Sequence, residues 1–166
     1  MASAYFAGGC FWYITPTFRE WPGVTNVVSG YSGGDEDNPT YEAVKQQQTG
    51  HRETVRIDYD EKQVSFETLF DIFLGGVDPF DAGGQFIDRG HSYTLAVYYL
   101  DEAQKTTAEA GIQALEAESG KPVCIAVEPF RNFYSAEAYH QNYDLKNPEA
   151  FRQELLESGR LKEAGQ

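Results

Sequence analysis

The sequence predicts an α/β fold in which helices pack on a mixed β-sheet. Three observations predict it. Short apolar runs of strand length alternate along the chain with segments of helical period. Gly and Pro punctuate these segments at short intervals, with no internal repeat, low-complexity tract or linker between them. The chain has 166 residues, 41% of them apolar and 23% charged, which suits one domain spanning residues 1–166 with a core of its own.

Each element has its own signal. Ala4 to Ala7 is an apolar run ending at Gly8-Gly9, expected as a buried strand. Cys10 to Arg19 reads as a helix that Pro16 bends or shortens. Val24 to Gly30 reads as a second strand, followed by a turn-rich loop from Ser32 to Pro39. Thr40 is expected to cap a short helix across Tyr41 to Gln47. Thr54 to Tyr59 alternates, with Val55, Ile57 and Tyr59 on one face, and is expected as a strand. Ser65 caps a helix that places Phe66, Leu69, Phe70 and Phe73 on its core side and stops at Gly75-Gly76. Val77 to about Ser92 carries no period and is expected to be irregular, which in a compact domain points to function. Tyr93 to Tyr99 is expected as a strand, and Glu102 to Ser119 as a helix burying Ala108, Ile112 and Leu115, closed by Gly120. Val123 to Val127 is expected as a strand with Cys124 on the face opposite Val123, Ile125 and Val127. Asn147-Pro148 opens a last helix carrying Phe151, Leu155 and Leu156.

Charge narrows the function classes. Thirteen Lys and Arg stand against 26 Asp and Glu, a net charge of −13. So acidic a surface repels phosphate backbones and anionic lipid, so neither nucleic acid nor membrane is an expected partner. No apolar run approaches the ~20 residues of a membrane span, and Met1 to Phe6 has no basic region leading into an apolar one. Two cysteines are too few for a disulfide scaffold or a four-Cys zinc site, and the 3 His lack ligand spacing, so no metal is expected. The expected setting is a reducing cytoplasm and the expected state a monomer.

Four segments could carry chemistry. Cys10 follows Gly8-Gly9 at a strand-to-helix junction, where free backbone N–H groups and the helix dipole favour a thiolate. The competing reading is a small buried hydrophobe at a tight turn. Glu53, in Thr49-Gly50-His51-Arg52-Glu53 just before a strand, is either a solvated carboxylate or a buried proton donor. Tyr93 at a strand start could aim its hydroxyl into a cleft, while Asp88 could pair with Arg89 or cap a turn. Tyr41 either donates a hydrogen bond or simply packs, and Asp35-Glu36-Asp37 reads as a solvated loop.

Taken in order, these segments resemble the A-type peptide methionine sulfoxide reductases. The likeness rests on Gly8-Gly9-Cys10-Phe11-Trp12, Gly30-Tyr31-Ser32-Gly33-Gly34 and Asn38-Pro39-Thr40-Tyr41-Glu42. It continues through Thr49-Gly50-His51-Arg52-Glu53, Asp78-Pro79, Asp88-Arg89-Gly90 with Tyr93, Lys121-Pro122 and Ala136-Glu137-Ala138-Tyr139-His140-Gln141. It covers about Tyr5 to Pro148.

The resemblance implies a two-layer sandwich with an elaborated ferredoxin-like core. It implies reduction of the S epimer of methionine sulfoxide, free or in proteins, with no bound cofactor. Cys10 would be the nucleophile that takes the oxygen and becomes a sulfenic acid, and Glu53 the acid that protonates that oxygen. Tyr41 and Tyr93 would hydrogen-bond the oxygen, Asp88 would orient polar groups and water, and Phe11 and Trp12 would wall the methyl group. The physics agrees, because a sulfoxide is a poor electrophile until its oxygen is protonated or strongly hydrogen-bonded.

Two departures stand out. Many members follow the signature with Gly, an apolar residue and Glu, where this chain has Tyr13-Ile14-Thr15. Many carry resolving cysteines in a C-terminal tail, and Ser158 to Gln166 holds none. The expectation is therefore one catalytic cysteine, with Cys124 an inert thiol buried in a strand. The sulfenic acid would be reduced from outside by thioredoxin, a glutaredoxin-like protein or a low-molecular-weight thiol. The competing readings are a thiol peroxidase, and a non-catalytic module that binds oxidised methionine or senses oxidants through Cys10.

Overall fold

The computed structural model describes residues 1–158 and 160. In chain order its elements begin with β1 (Ala2–Gly8), α1 (Phe11–Arg19), β2 (Val24–Ser32), α2 (Tyr41–Lys45), β3 (Arg52–Tyr59) and α3 (Phe66–Gly75). Two short strands, β4 (Gly84–Gln85) and β5 (Asp88–Arg89), precede β6 (Leu95–Tyr99), α4 (Glu102–Ser119) and β7 (Ile125–Pro129). The remainder are β8 (Tyr134–Ser135), α5 (Tyr143–Lys146) and α6 (Pro148–Glu157).

Six strands form a mixed sheet in the order β7-β6-β1-β3-β2-β8, antiparallel throughout except for the parallel pair β6–β7. Within it, β1-α1-β2-β3-α3-β6 is a β-α-β-β-α-β unit with strand order β6-β1-β3-β2, the split βαβ of the ferredoxin-like fold. Helix α4 then carries the chain to β7, and β8 extends the opposite edge.

Alternation along the strands sets the layers. Phe6 and Ala4 in β1, Val55 and Ile57 in β3, and Leu95 and Val97 in β6 all join one core with α1, α3 and α4. Phe6 sits at its centre, with the rings of Phe18, Phe66 and Phe73 stacked 4.9–5.9 Å away. The intervening residues Ala7, Ala96 and Tyr98 face the other side, where Tyr5 packs on Phe130. Caps fix the helix starts: Thr40, Ser65 and Asp101 each accept a backbone N–H three residues on, at 3.2, 3.1 and 2.8 Å. Gly120 closes α4 in the left-handed region.

Several boundaries differ from the sequence reading. Tyr93 does not begin a strand; it ends a 3-10 turn, His91–Tyr93, and the strand starts at Leu95. Cys124 lies outside β7, half-buried, its N–H donated to the Pro79 carbonyl at 2.6 Å and its thiol to Phe80 O at 3.6 Å. Glu53 is inside β3 rather than before it. The segment from Val77 to Ser92 contains the β4–β5 ribbon. Ile112 and Leu115 of α4 are only half-buried, and the reading missed the single turn of α5. Among the described residues no helix is long and apolar enough to cross a membrane.

Candidate active site

The chain reverses between β1 and α1 through Gly9, and only glycine fits there. Its φ is +86°, and a Cβ would lie 2.8 Å from Gln85 Cβ. Gly9→Ala is therefore expected to lower stability by about 2 kcal/mol. A urea midpoint equal to that of the unsubstituted chain would remove this role. The turn delivers Cys10 to the N-cap of α1, with no side-chain cap bond of its own.

Beneath it lies Glu53. Glu53 shares the parity of Val55, Ile57 and Tyr59, so the alternation of β3 drives its carboxyl under the helix start, where it is 1% exposed. Its Oε1 accepts the Phe11 N–H, one of the free donors of α1, at 3.2 Å. Its Oε2 is buried with no hydrogen-bond partner among the described residues. Burial pushes Glu53 up to about 8, opposed by the Phe11 N–H. It therefore holds its proton at neutral pH, as an acid catalyst must.

The same burial corrects the expectation for Cys10. Desolvation comes first, then the charges of Glu53 and Asp88, and together they push the thiol well above its ordinary range. The Trp12 N–H and Arg160 pull it down by less. The helix start contributes as read from sequence, but burial outweighs it. The resting group is a thiol, with the protonated Glu53 held at the same helix start.

Aromatic groups close the site. Trp12 is half-buried, donates its indole N–H to His140 Nδ1 at 2.9 Å, and stacks on Tyr143 with ring centres 3.9 Å apart. Phe11 is turned inward behind it, 1% exposed, against Tyr31 and His140. Tyr41, first residue of α2, lies 4.2 Å from His140 ring to ring. Its N–H is held by Glu137, which also accepts the Tyr31 hydroxyl at 2.8 Å. Tyr93 is 7% exposed, and Asp88 is half-buried with Arg160 Nη2 at 3.4 Å. Burial and then the field of Glu53 raise both Tyr41 and Tyr93, so both stay as neutral donors. Burial raises Asp88 while Arg160 holds it down.

The fold thus gathers Cys10, Glu53, Tyr41, Asp88 and Tyr93 within one another's electrostatic reach. His51 is a structural pin elsewhere, its Nδ1 accepting the Gly34 N–H and its Nε2 donating to Glu36 O at 2.8 Å. Cys124 borders a separate groove of about 390 Å³ with Arg52 and His91. Among the described residues no cluster of His, Cys, Asp and Glu could hold a metal ion. Sequence reasoning assigned no role to Glu137, His140, Tyr143 or Arg160. The first two lie in the motif at Ala136 to Gln141, but the other two follow no period that would mark them.

Comparison with known proteins places the chain's family and fold. The family model "Peptide methionine sulfoxide reductase" matches residues 2–164. Peptide methionine sulfoxide reductase MsrA 2 of Staphylococcus aureus is 49% identical over 159 residues, covering 95% of this chain and 90% of that protein. Among solved structures, reduced Mxr1 of Saccharomyces cerevisiae superposes with a TM-score of 0.84 at 28% identity, covering 89% of this chain and 86% of that one. Methionine sulfoxide reductase A of Corynebacterium diphtheriae gives a TM-score of 0.80 at 30% identity, covering 88% and 74%. With nearly its whole length matched, the chain belongs to the peptide methionine sulfoxide reductase family.

Proposed function

We propose that the chain reduces methionine S-sulfoxide, free or in proteins, by passing the sulfoxide oxygen to Cys10. Its family membership makes reduction of peptide methionine sulfoxide the activity, and so repair of oxidised proteins the role. The observation that carries the finer reading is the Glu53 carboxyl, 1% exposed and fixed by the N–H of Phe11, the residue next to Cys10, so that a nucleophile and a protonated acid share the start of α1.

Glu53 donates its proton to the sulfoxide oxygen, and Tyr41 and Tyr93 hydrogen-bond the same atom. As negative charge leaves the oxygen, Glu53 becomes the base that takes the Cys10 proton. The substrate S–O bond breaks and an S–O bond forms at Cys10. The substrate sulfur is reduced by two electrons and Cys10 is oxidised by two, to a sulfenic acid. Trp12, backed by Phe11, offers the methyl group an apolar wall, while Asp88 orders the polar side.

The cycle closes when an external thiol reduces the sulfenic acid. A thioredoxin, a glutaredoxin-like protein or a small thiol would serve, and yeast Mxr1 has been crystallised in complex with Trx2. The chain is taken to act as one catalytic unit, a monomer, in a reducing cytoplasm where Cys10 and Cys124 stay free.

The test is reduction of separated S and R epimers of N-acetyl-methionine sulfoxide with dithiothreitol, following methionine release. Release from the S epimer alone is expected. Release from the R epimer, or from neither, would overturn the reading.

A further inference from the structure

One cation reaches the site from the far end of the chain. Arg160 follows α6, its backbone N–H bonded to Leu155 O at 3.1 Å. Helix α6 is fastened over α1, with Phe151 stacked on Tyr13 at 5.7 Å and Glu154 accepting the Tyr143 hydroxyl at 2.9 Å. The Arg160 guanidinium lies between two rings, 4.0 Å from the centre of Tyr13 and 4.5 Å from that of Phe86. Cation–π attraction on both faces holds such a group in one place.

The position bears on the chemistry. Arg160 Nη2 is 3.4 Å from Asp88 Oδ2, and a Cβ built on Gly9, the residue before Cys10, would lie 3.7 Å from it. Its side chain is only 10% exposed, and Nη1 is buried with no partner among the described residues. A spare buried donor is costly unless a charge nearby makes use of it. The residue forming one wall of the clamp, Phe86, is held at φ +54°, an uncommon conformation at the tip of the β4–β5 ribbon.

We propose that Arg160 is a positioning residue for the sulfoxide chemistry, clamped between Tyr13 and Phe86 so that its guanidinium fixes Asp88 and offsets the negative charge that Cys10 takes on. The proposal rests on Cys10 being the nucleophile. The groups around Cys10 make the need plain. Glu53 comes from β3, Asp88 from β5, Tyr41 from α2, Tyr93 from the turn before β6, Tyr13 from α1 and Tyr143 from α5. All are acids, neutral or anionic. Lys45 acts on Glu53 and Asp88, whereas Arg160 acts on Cys10 itself.

The test reads Cys10 directly. The full chain is alkylated with iodoacetamide across a pH series, without substrate or reductant, and the Cys10 peptide is followed by mass spectrometry. Arg160→Gln is expected to move the midpoint of Cys10 alkylation up by about one unit, slowing it about tenfold near neutrality with the high-pH plateau unchanged. Arg160→Lys, which keeps the charge, should restore most of the shift. Phe86→Leu, at a position 41% exposed, should move the midpoint the same way by less.

An unmoved midpoint in Arg160→Gln, a slowing equal at every pH, or Arg160→Lys no better than Gln would each overturn the proposal. Single-turnover sulfoxide reduction in the same variants should follow the midpoint. A shifted midpoint in a chain whose sulfoxide reduction survives Cys10→Ser would instead refute Cys10 as nucleophile, and the catalytic role of Arg160 with it.

Discussion

Glu53→Gln is expected to slow single-turnover sulfoxide reduction by about 10²- to 10³-fold at neutral pH while substrate affinity changes little. Gln copies the shape of a protonated carboxyl and keeps an acceptor for the Phe11 N–H, but it has no proton to give. The pH dependence sharpens the case. Burial holds Glu53 at about 8, so the reductase rate should fall as pH rises past 8, and the variant should lose that limb.

Stability should move the opposite way. In the unfolded chain a glutamate releases its proton near its ordinary value of about 4.3, whereas folded Glu53 keeps it to about 8. Between those values the folded state binds more protons than the unfolded one. Stability from this group is therefore full at low pH and is lost as pH rises through the window. Relative to the natural chain, Glu53→Gln should gain stability from mildly acid pH to about 8, on the order of a few kcal/mol by the upper end. Parallel urea unfolding of both chains at several pH values checks this. A Glu53→Gln chain with a wild-type reductase rate, or with the same pH trend in stability, would sink the proton-donor role.

The second large effect separates the two cysteines. Cys10→Ser is expected to abolish methionine release, since Ser cannot carry the oxygen through a reducible intermediate. Cys124→Ser is expected to leave turnover with dithiothreitol within about twofold, because surface and half-buried substitutions away from a site cost little. Cys124 sits in its own groove and spends its hydrogen bonds on Pro79 and Phe80. The register puts both cysteines at one end of the sheet, one leaving β1 and one entering β7, with β6 between. If Cys124→Ser stopped turnover with every reductant while Cys10 still released one methionine, Cys124 would be the resolving thiol and the external cycle would be wrong.

How much of this was legible in the sequence depends on range. Local rules placed Thr40, Ser65 and Gly120 at their helix ends, because a cap needs only residues three or four positions apart. Alternation from Thr54 to Tyr59 gave the buried face of β3, and extending it one step back would have put Glu53 on that face. The strand order could not be read locally, since it depends on two crossovers, one leaving a gap between β1 and β2 that β3 fills and one carrying the chain from β3 past β1 to β6. Tyr93 looked like a strand start because Leu95 to Tyr99 is apolar, yet Gln47, just past the end of α2, holds Ser92 in a turn. The thiol state of Cys10 was misjudged for the same reason. A helix start is visible in sequence, while burial and the nearby charges of Glu53 and Asp88 are properties of the assembled fold. Arg160 carries no sequence signal, because Tyr13 and Phe86 meet it only after α6 has docked.

The most direct test of the account is a single turnover with methionine S-sulfoxide carrying ¹⁸O, without reductant, followed by intact-protein and peptide mass spectrometry. The account predicts one methionine released per chain and one labelled oxygen retained on the Cys10 peptide. Methionine released with the label on the Cys124 peptide, or in Cys10→Ser, would contradict it.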